Sequence, residues 1–274
     1  MKRILLLVLS AILLTTCLVA CNGKGGNSYS DLAIVDLGLE REYFGIAFRS
    51  GSDMTRKVED ITLELINNGV LAELSETYEV GAVGKDDYQP KADPCEGSDD
   101  WAYIKEKGVL VVGITDYKPM DYKDENGEWI GFDADYARKV CEKLGVTPEF
   151  KEIEWENKEM ALESKDIDCI WNGMTITDAI ESVADCTAPY MYNMQVAVVK
   201  KANVDKYKTI NDLAGVSIAA EGGSAGAKVI EGNEALKGGF KSVSAQTDAL
   251  LEVLSGASEA AIVDNTLAKA LIKD

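Results

Sequence analysis

The sequence contains no histidine. That absence excludes Ser-His-Asp and Cys-His nucleophilic catalysis and every His-ligated metal site. Basic side chains are also few, 28 Lys and Arg against 47 Asp and Glu, for a formal charge of −19. Nucleic-acid binding runs on clustered Lys and Arg, so the balance argues against such a partner. No C-x-x-C pair occurs, which argues against zinc-ribbon and thioredoxin-type chemistry. No cofactor or metal is expected. Only five prolines are present, and two of them, Pro90 and Pro94, fall in one short polar segment. What is present is a 274-residue chain with 46% hydrophobic residues. That is enough for one large domain or two small ones with real cores, and too apolar for low-complexity disorder.

Residues 1–20 open with Lys2 and Arg3 and continue as an apolar run from Ile4 to Ala20. The run is short for a membrane span, which needs about 20 residues. Its basic start and the small residue before Cys21 fit an export signal. Leu18-Val19-Ala20-Cys21 resembles a bacterial lipobox, which implies cleavage before Cys21 and a lipid on that cysteine. Residues 21–27, rich in Gly and Asn, would then tether the protein to the outer side of a bacterial membrane, at the cell surface or facing the periplasm. Loss of Lys2 and Arg3 takes the charge from −19 to −21.

Outside the cytoplasm disulfides form. Beyond Cys17 and Cys21, four cysteines remain: Cys95, Cys141, Cys169 and Cys186. Cys169 and Cys186 flank one short helical pattern and are the favoured bridge; the alternative is two buried free thiols.

Strand patterns cover LAIVDLGL and YFGIAF, and an amphipathic helix is predicted over 53–68, broken at Gly69. Segment 81–100 is polar, holds two prolines and three glycines, and has no hydrophobic period, so it is predicted to be a linker. From Trp101 strand and helix patterns alternate: strands at 109–113, 148–153, 167–171, 195–200, 216–220 and 260–263, helices at 132–144, 158–164, 177–183, 210–213, 225–231, 248–255 and 265–272. This order predicts an α/β fold with mostly parallel sheets.

GVLVVGITDYKPMDYKDENGEWIGFDADYARKVCEKLG, IDCIWNGMTIT, YMYNMQVAVV, EGGSAG and AAIVDNTLAKAL occur in the order of, and resemble, solute-binding protein family three, the polar amino-acid-binding lipoproteins of ABC importers. The resemblance implies the type II periplasmic-binding-protein fold, two lobes joined by a two-strand hinge. SYSDLAIVDLGLEREYFGIAFRSGSDMTRKVEDITLELINNGVLAELSETYEV resembles the C-terminal part of the same family, yet here it comes first. Segments 28–80 and 101–274 together make 227 residues, about one family domain. The expectation is a circular permutation in which linker 81–100 joins the original termini. The rival is a fragment of two tandem domains. Lobe 1 would comprise roughly 46–80 and 101–193. Lobe 2 would comprise roughly 28–42 and 198–274, with crossings near 43–46 and 193–198.

Once water is excluded, a free amino acid needs a partner for each polar end. Asp264 stands at the C-terminal end of an apolar strand, where open α/β sheets bind ligands, and the resemblance assigns it the α-ammonium; an N-cap role is the alternative. Asn172, Gly173 and Thr175 run from a strand toward a helix start, and Gly223, Ser224 and Ala225 form a second such turn. Both offer N–H groups and hydroxyls to a carboxylate. Tyr117 and Trp155 align with the family's stacking aromatic and apolar wall, and Asp116 is placed to meet a cationic side chain. The family's carboxylate-binding arginine is replaced by Ile180. Helix N-termini, Lys118 or a different ligand class would have to compensate.

The composite expectation is a lipid-anchored monomer, not an enzyme, that captures a small polar solute for an ABC permease. The alternatives are a ligand-sensing extracellular module, a non-amino-acid solute, or a dehydratase-like enzyme using Asp116, Asp264 or Glu221 as its acid or base.

Overall fold

The computed structural model describes residues 29–91 and 99–273. The proposed signal peptide, the tether, Cys21 and Cys95 lie outside the described residues. In chain order the elements are β1 (Leu32–Val35), β2 (Arg41–Arg49), α1 (Met54–Asn67), α2 (Val70–Tyr78), α3 (Asp100–Lys107), β3 (Val109–Ile114), β4 (Tyr122–Lys123), β5 (Trp129–Ile130), α4 (Phe132–Leu144) and β6 (Thr147–Glu152). There follow α5 (Lys158–Glu163), β7 (Cys169–Thr175), α6 (Asp178–Glu181), β8 (Ala184–Cys186), β9 (Met191–Lys200), β10 (Ile218–Glu221), α7 (Ala225–Glu231), β11 (Phe240–Val243), α8 (Gln246–Ser255), β12 (Ala260–Asp264) and α9 (Asn265–Leu271).

The helices follow from their apolar stripes. In α1, Val58, Thr62 and Leu65 are buried on one face. In α4, Phe132, Tyr136 and Val140 repeat at four-residue spacing and are fully buried. Gly145 ends α4 in the left-handed region, φ +73°, donating its N–H to the carbonyls of Cys141 and Glu142.

The strands run in the order β11-β10-β12-β9-β2-β7-β3-β6, with β1 beside β9 and β8 beside β2. Pairs β3–β6, β3–β7, β10–β11 and β10–β12 are parallel. The two central strands are antiparallel to their neighbours, which departs from the mostly parallel expectation. Strand β9 carries both wings: Met191–Met194 pair with β2, and Gln195–Val199 pair with β12. A ten-residue strand shared this way is one covalent crossing between two lobes. The N-terminal segment is part of the same sheet. Strand β1 pairs with β9, and β2 lies between β9 and β7. Arg49 closes the join, its Nε 3.0 Å from Asp100 and its Nη1 donating to Ile167 O at 2.9 Å. One lobe core holds Leu162, Ile167, Ile170 and Met174, and the other Ile218, Ile230, Leu236 and Ile262.

Two expectations are corrected. Residues 81–91 are not a free linker. Val83 and Tyr88 are buried with Ala188 against Leu63, Ile66 and Tyr192. Val83 N–H donates to Tyr190 O at 2.9 Å, and Lys91 pairs with Glu181 at 2.7 Å. Two apolar side chains suffice to seat a segment without any hydrophobic period. The Cys169–Cys186 bridge is absent; Cys141, Cys169 and Cys186 are buried free thiols. Cys169 pairs with Phe48 from β7, and Cys186 pairs with Ala47 from β8, so β2 stands between them. Two strand spacings are about 9.6 Å, beyond the roughly 7 Å that a disulfide spans. Burial pushes the Cys186 thiol up to about 12.

Candidate functional site

The C-terminal ends of the parallel strands of both wings converge. Tyr117 follows β3, Trp155 follows β6, and Asn172, Gly173 and Thr175 belong to β7. From the other wing come Gly223, Ser224 and Ala225 after β10, and Asp264 at the end of β12. These nine side chains or backbones line one cavity of about 30 Å³. Closure is tight. Gly223 has φ +70°, and a Cβ there would stand 2.9 Å from Glu156 Cα across the cleft. Lys158, only 4% exposed, donates from Nζ to Gly223 O at 3.1 Å and to Trp155 O at 3.3 Å.

Asp264 is the centre of the site. It is 6% exposed, and its carboxylate accepts from the amides of Asn193, Gln195 and Gln246. The Gln195 bond is 2.7 Å, and Asp264 N–H returns a bond to Gln246 Oε1 at 2.9 Å. All these side-chain donors are neutral, and among the described residues no Lys or Arg forms an ion pair with it. Burial, with the nearby Glu42 charge adding, pushes its carboxyl up to about 7. A buried carboxylate without a counter-ion is a receptor for an external cation. Asp264 does occupy the N-cap position of α9, but its side chain makes no cap bond and faces the cavity.

Glu221 lines the same cavity at 3% exposure, and its Oε1 has no hydrogen-bond partner among the described residues. Burial, then the charge of Asp264, pushes its carboxyl up to about 8. Asn172 Oδ1 is likewise buried without a partner among the described residues, and the buried Tyr117 hydroxyl faces the Asp264 carboxylate. Asn172 Nδ2 is spent on Thr115 at 2.7 Å. Gly173 needs its glycine: φ is +56°, and a Cβ would lie 2.6 Å from the Tyr117 ring.

Two expectations turn out differently. Asp116 is exposed and lies outside the cavity. Lys118 is exposed, with Nζ 4.9 Å from the Tyr122 ring, and lines another groove. The 172–177 segment does run from β7, which continues through Thr175, into α6, whose N-cap Thr177 accepts from Ile180 N–H; the Gly173 N–H is spent on Asp133 at 2.6 Å. Ser224 caps α7, accepting from Ala227 N–H at 3.1 Å. Ile180 does line the cavity where the resemblance expects arginine. The sequence reading missed Lys158 and Gln246. Lys158 opens a helix three residues after Trp155 on a side packed inward, a burial only the closed cleft explains. Gln246 begins α8 two residues before the predicted start.

A cleft between two α/β lobes, hinged on a shared strand and holding a buried, unneutralised carboxylate, defines a small-solute capture site. Residues 110–273 match the family model described as bacterial extracellular solute-binding proteins, family 3. The chain belongs to that family. It is 34% identical over 116 residues to the L-cystine-binding protein TcyJ of Escherichia coli K12, covering 42% of this chain and 44% of that one. It is 33% identical over 171 residues to the probable amino-acid-binding protein YxeM of Bacillus subtilis, covering 62% and 64%. The matched stretch thus spans less than half of the E. coli protein. Arginine-bound truncated ArgBP from T. maritima superposes with a TM-score of 0.59 at 33% identity, covering 62% of this chain and 79% of that one. The ancestral amino-acid-binding protein AncCDT-1, a precursor of cyclohexadienyl dehydratase, gives 0.58 at 34% identity, covering 61% and 75%.

Proposed function

We propose that this chain captures a free α-amino acid in the inter-lobe cleft and hands it to an ABC permease, while Cys21 carries the lipid that holds it to the membrane. The observation carrying the reading is Asp264: an enclosed carboxylate, hydrogen-bonded by neutral groups and no cation, between the lobes. An α-ammonium supplies the missing charge. Tyr117 and Trp155 supply apolar walls for the side chain, and Thr175 and Ser224 supply hydroxyls beside them. The names of the relatives, cystine-binding and arginine-bound, fit a solute of that class. The lipid anchor rests on the Leu18-Val19-Ala20-Cys21 sequence. Nothing in the cleft demands turnover, and the reading is of a binding protein rather than an enzyme.

The same reading treats the chain as a circular permutant. Its support is that β2 fills a central position of the sheet, between β9 and β7, and that β1 pairs with β9. A chain rearranged to place 101–274 before 28–80 is expected to fold and bind alike.

The test of function is a thermal-melt panel on protein stripped of co-purified solute by unfolding and refolding. Twenty amino acids, ornithine, citrulline, polyamines and dicarboxylates are compared. A ligand at 100 times its Kd adds about 2.7 kcal/mol. A shift with an α-amino acid supports the reading; shifts confined to polyamines or dicarboxylates, or none, overturn it.

A further inference from the structure

Resting on the amino-acid reading above, we propose that the cleft selects an amino acid with a cationic side chain, whose charge is taken by Glu221 while Lys158 takes its carboxylate. Inside the closed cavity, three lining side chains of the carboxylate and ammonium types are almost fully buried: Asp264, Glu221 and Lys158. Two carboxylates against one ammonium leave the enclosed site short of one positive charge. A neutral zwitterion brings none. Its ammonium satisfies Asp264, its carboxylate satisfies Lys158, and Glu221 is left buried without a charged partner, so it must take up a proton to stay there. An amino acid with a second cation closes the balance.

The hydrogen-bond inventory points the same way. Glu221 Oε1 and Asn172 Oδ1 are buried on the cavity without partners among the described residues. Both can only accept when Glu221 is ionised. Ammonium and guanidinium are all donor, so a basic side chain satisfies both atoms and the Glu221 charge; an amide brings donors but no charge, and an alkyl side chain brings neither.

Lys158 is the cation available for the carboxylate. The family resemblance leads to an arginine at position 180, and Ile180 holds that place on the same wall. Lys158 lies on this cavity too, with Nζ bound to the carbonyls of Trp155 and Gly223 and 3.5 Å from Glu159. It does not pair with Glu221. Because Gly223 belongs to the opposite lobe, the ammonium now donates across the cleft. Parting of the lobes breaks that bond and leaves a donor free for the ligand. The other lysine of the lining, Lys228, is exposed on α7, where solvent screens its charge.

The experiment is calorimetric titration of the purified full-length chain, and of Glu221→Gln, with isosteric pairs: arginine against citrulline, and lysine against norleucine. Wild type is expected to bind one basic member at least 100-fold tighter than its neutral isostere. Glu221→Gln should bring that ratio below 10 while still binding. Lys158→Met is expected to weaken the basic amino acid by 30-fold or more, and to leave binding of its decarboxylated amine (agmatine or cadaverine) unchanged. A wild type that binds a neutral amino acid as tightly as its basic isostere overturns this inference and leaves the amino-acid reading standing. So does a discrimination ratio unmoved by Glu221→Gln. Binding of no α-amino acid overturns both.

Discussion

Replacing Asp264 by asparagine separates two effects that usually travel together. In the free protein the carboxylate is a liability. A carboxyl pushed from 3.8 to about 7 by burial disfavours the folded state by about 4 kcal/mol at pH 8. Asparagine has the same shape and removes that charge. It also turns one acceptor into a donor, which faces the Gln246 amide and loses a bond worth about 1 kcal/mol. The net is a gain of roughly 3 kcal/mol for the ligand-free chain, or about 5–10 °C in Tm. Ligand binding moves the other way. Truncating one partner of a desolvated charge pair costs roughly 2–5 kcal/mol, and about 3 corresponds to a 150-fold rise in Kd. Melts at pH 8 without ligand and titration with the best amino acid of the panel measure both. The variant is expected to be more stable and nearly blind to ligand. A folded Asp264→Asn that binds within threefold of wild type would refute the role of this carboxylate. A variant less stable than wild type at pH 8 would refute the reasoning about its buried charge.

Two further outcomes follow from the same geometry. Asp264 and Glu221 have folded-state carboxyls raised to about 7 and about 8, so their stabilising contribution is complete below the unfolded values near 4 and is lost as pH rises through 7–8. The ligand-free Tm should fall between pH 5 and 8, while affinity for a basic amino acid climbs by up to tenfold per pH step, because binding requires the ionised carboxylates; parallel pH trends in the two would contradict this. Gly223→Ala places a Cβ 2.9 Å from Glu156 Cα with φ +70° and should hold the lobes apart, raising Kd at least tenfold and enlarging the radius of gyration seen by X-ray scattering with ligand; unchanged closure would show that this contact yields easily.

Much of the fold was legible from period and punctuation. The helix predicted over 132–144 is α4, set by Phe132, Tyr136 and Val140 and stopped by Gly145. The alternation after Trp101 gave most of the remaining strands and helices, because buried parallel strands read as short apolar runs between glycines. Strand β8, three residues long, was missed, and so were three further features. Strand β11, FKSV, buries neither of its central residues and looks like a loop. Helix α3 carries a weak apolar stripe and is fixed by Ile104 and by the Arg49–Asp100 pair, a tertiary contact. The β4–β5 hairpin is two residues a side. The disulfide failed for a reason that sequence spacing does not contain: β2, from more than a hundred residues earlier, inserts between Cys169 and Cys186.

The site was legible where a residue sits at a strand end, as with Asp264, or in a glycine turn, as with Gly223. It was illegible where burial comes from the opposite lobe. Lys158 looks like an ordinary first-turn lysine until Gly223 of the other lobe covers it. Glu221 looks like a strand-end charge until Asp264 and the closed cleft surround it.

The most direct measurement is a crystal structure of the chain with the amino acid that stabilises it most. The account predicts the α-ammonium within about 3.2 Å of the Asp264 carboxylate, between the lobes, with the side chain against Tyr117 and Trp155. An amino acid bound elsewhere, or one in the cleft whose ammonium lies away from Asp264, would contradict it.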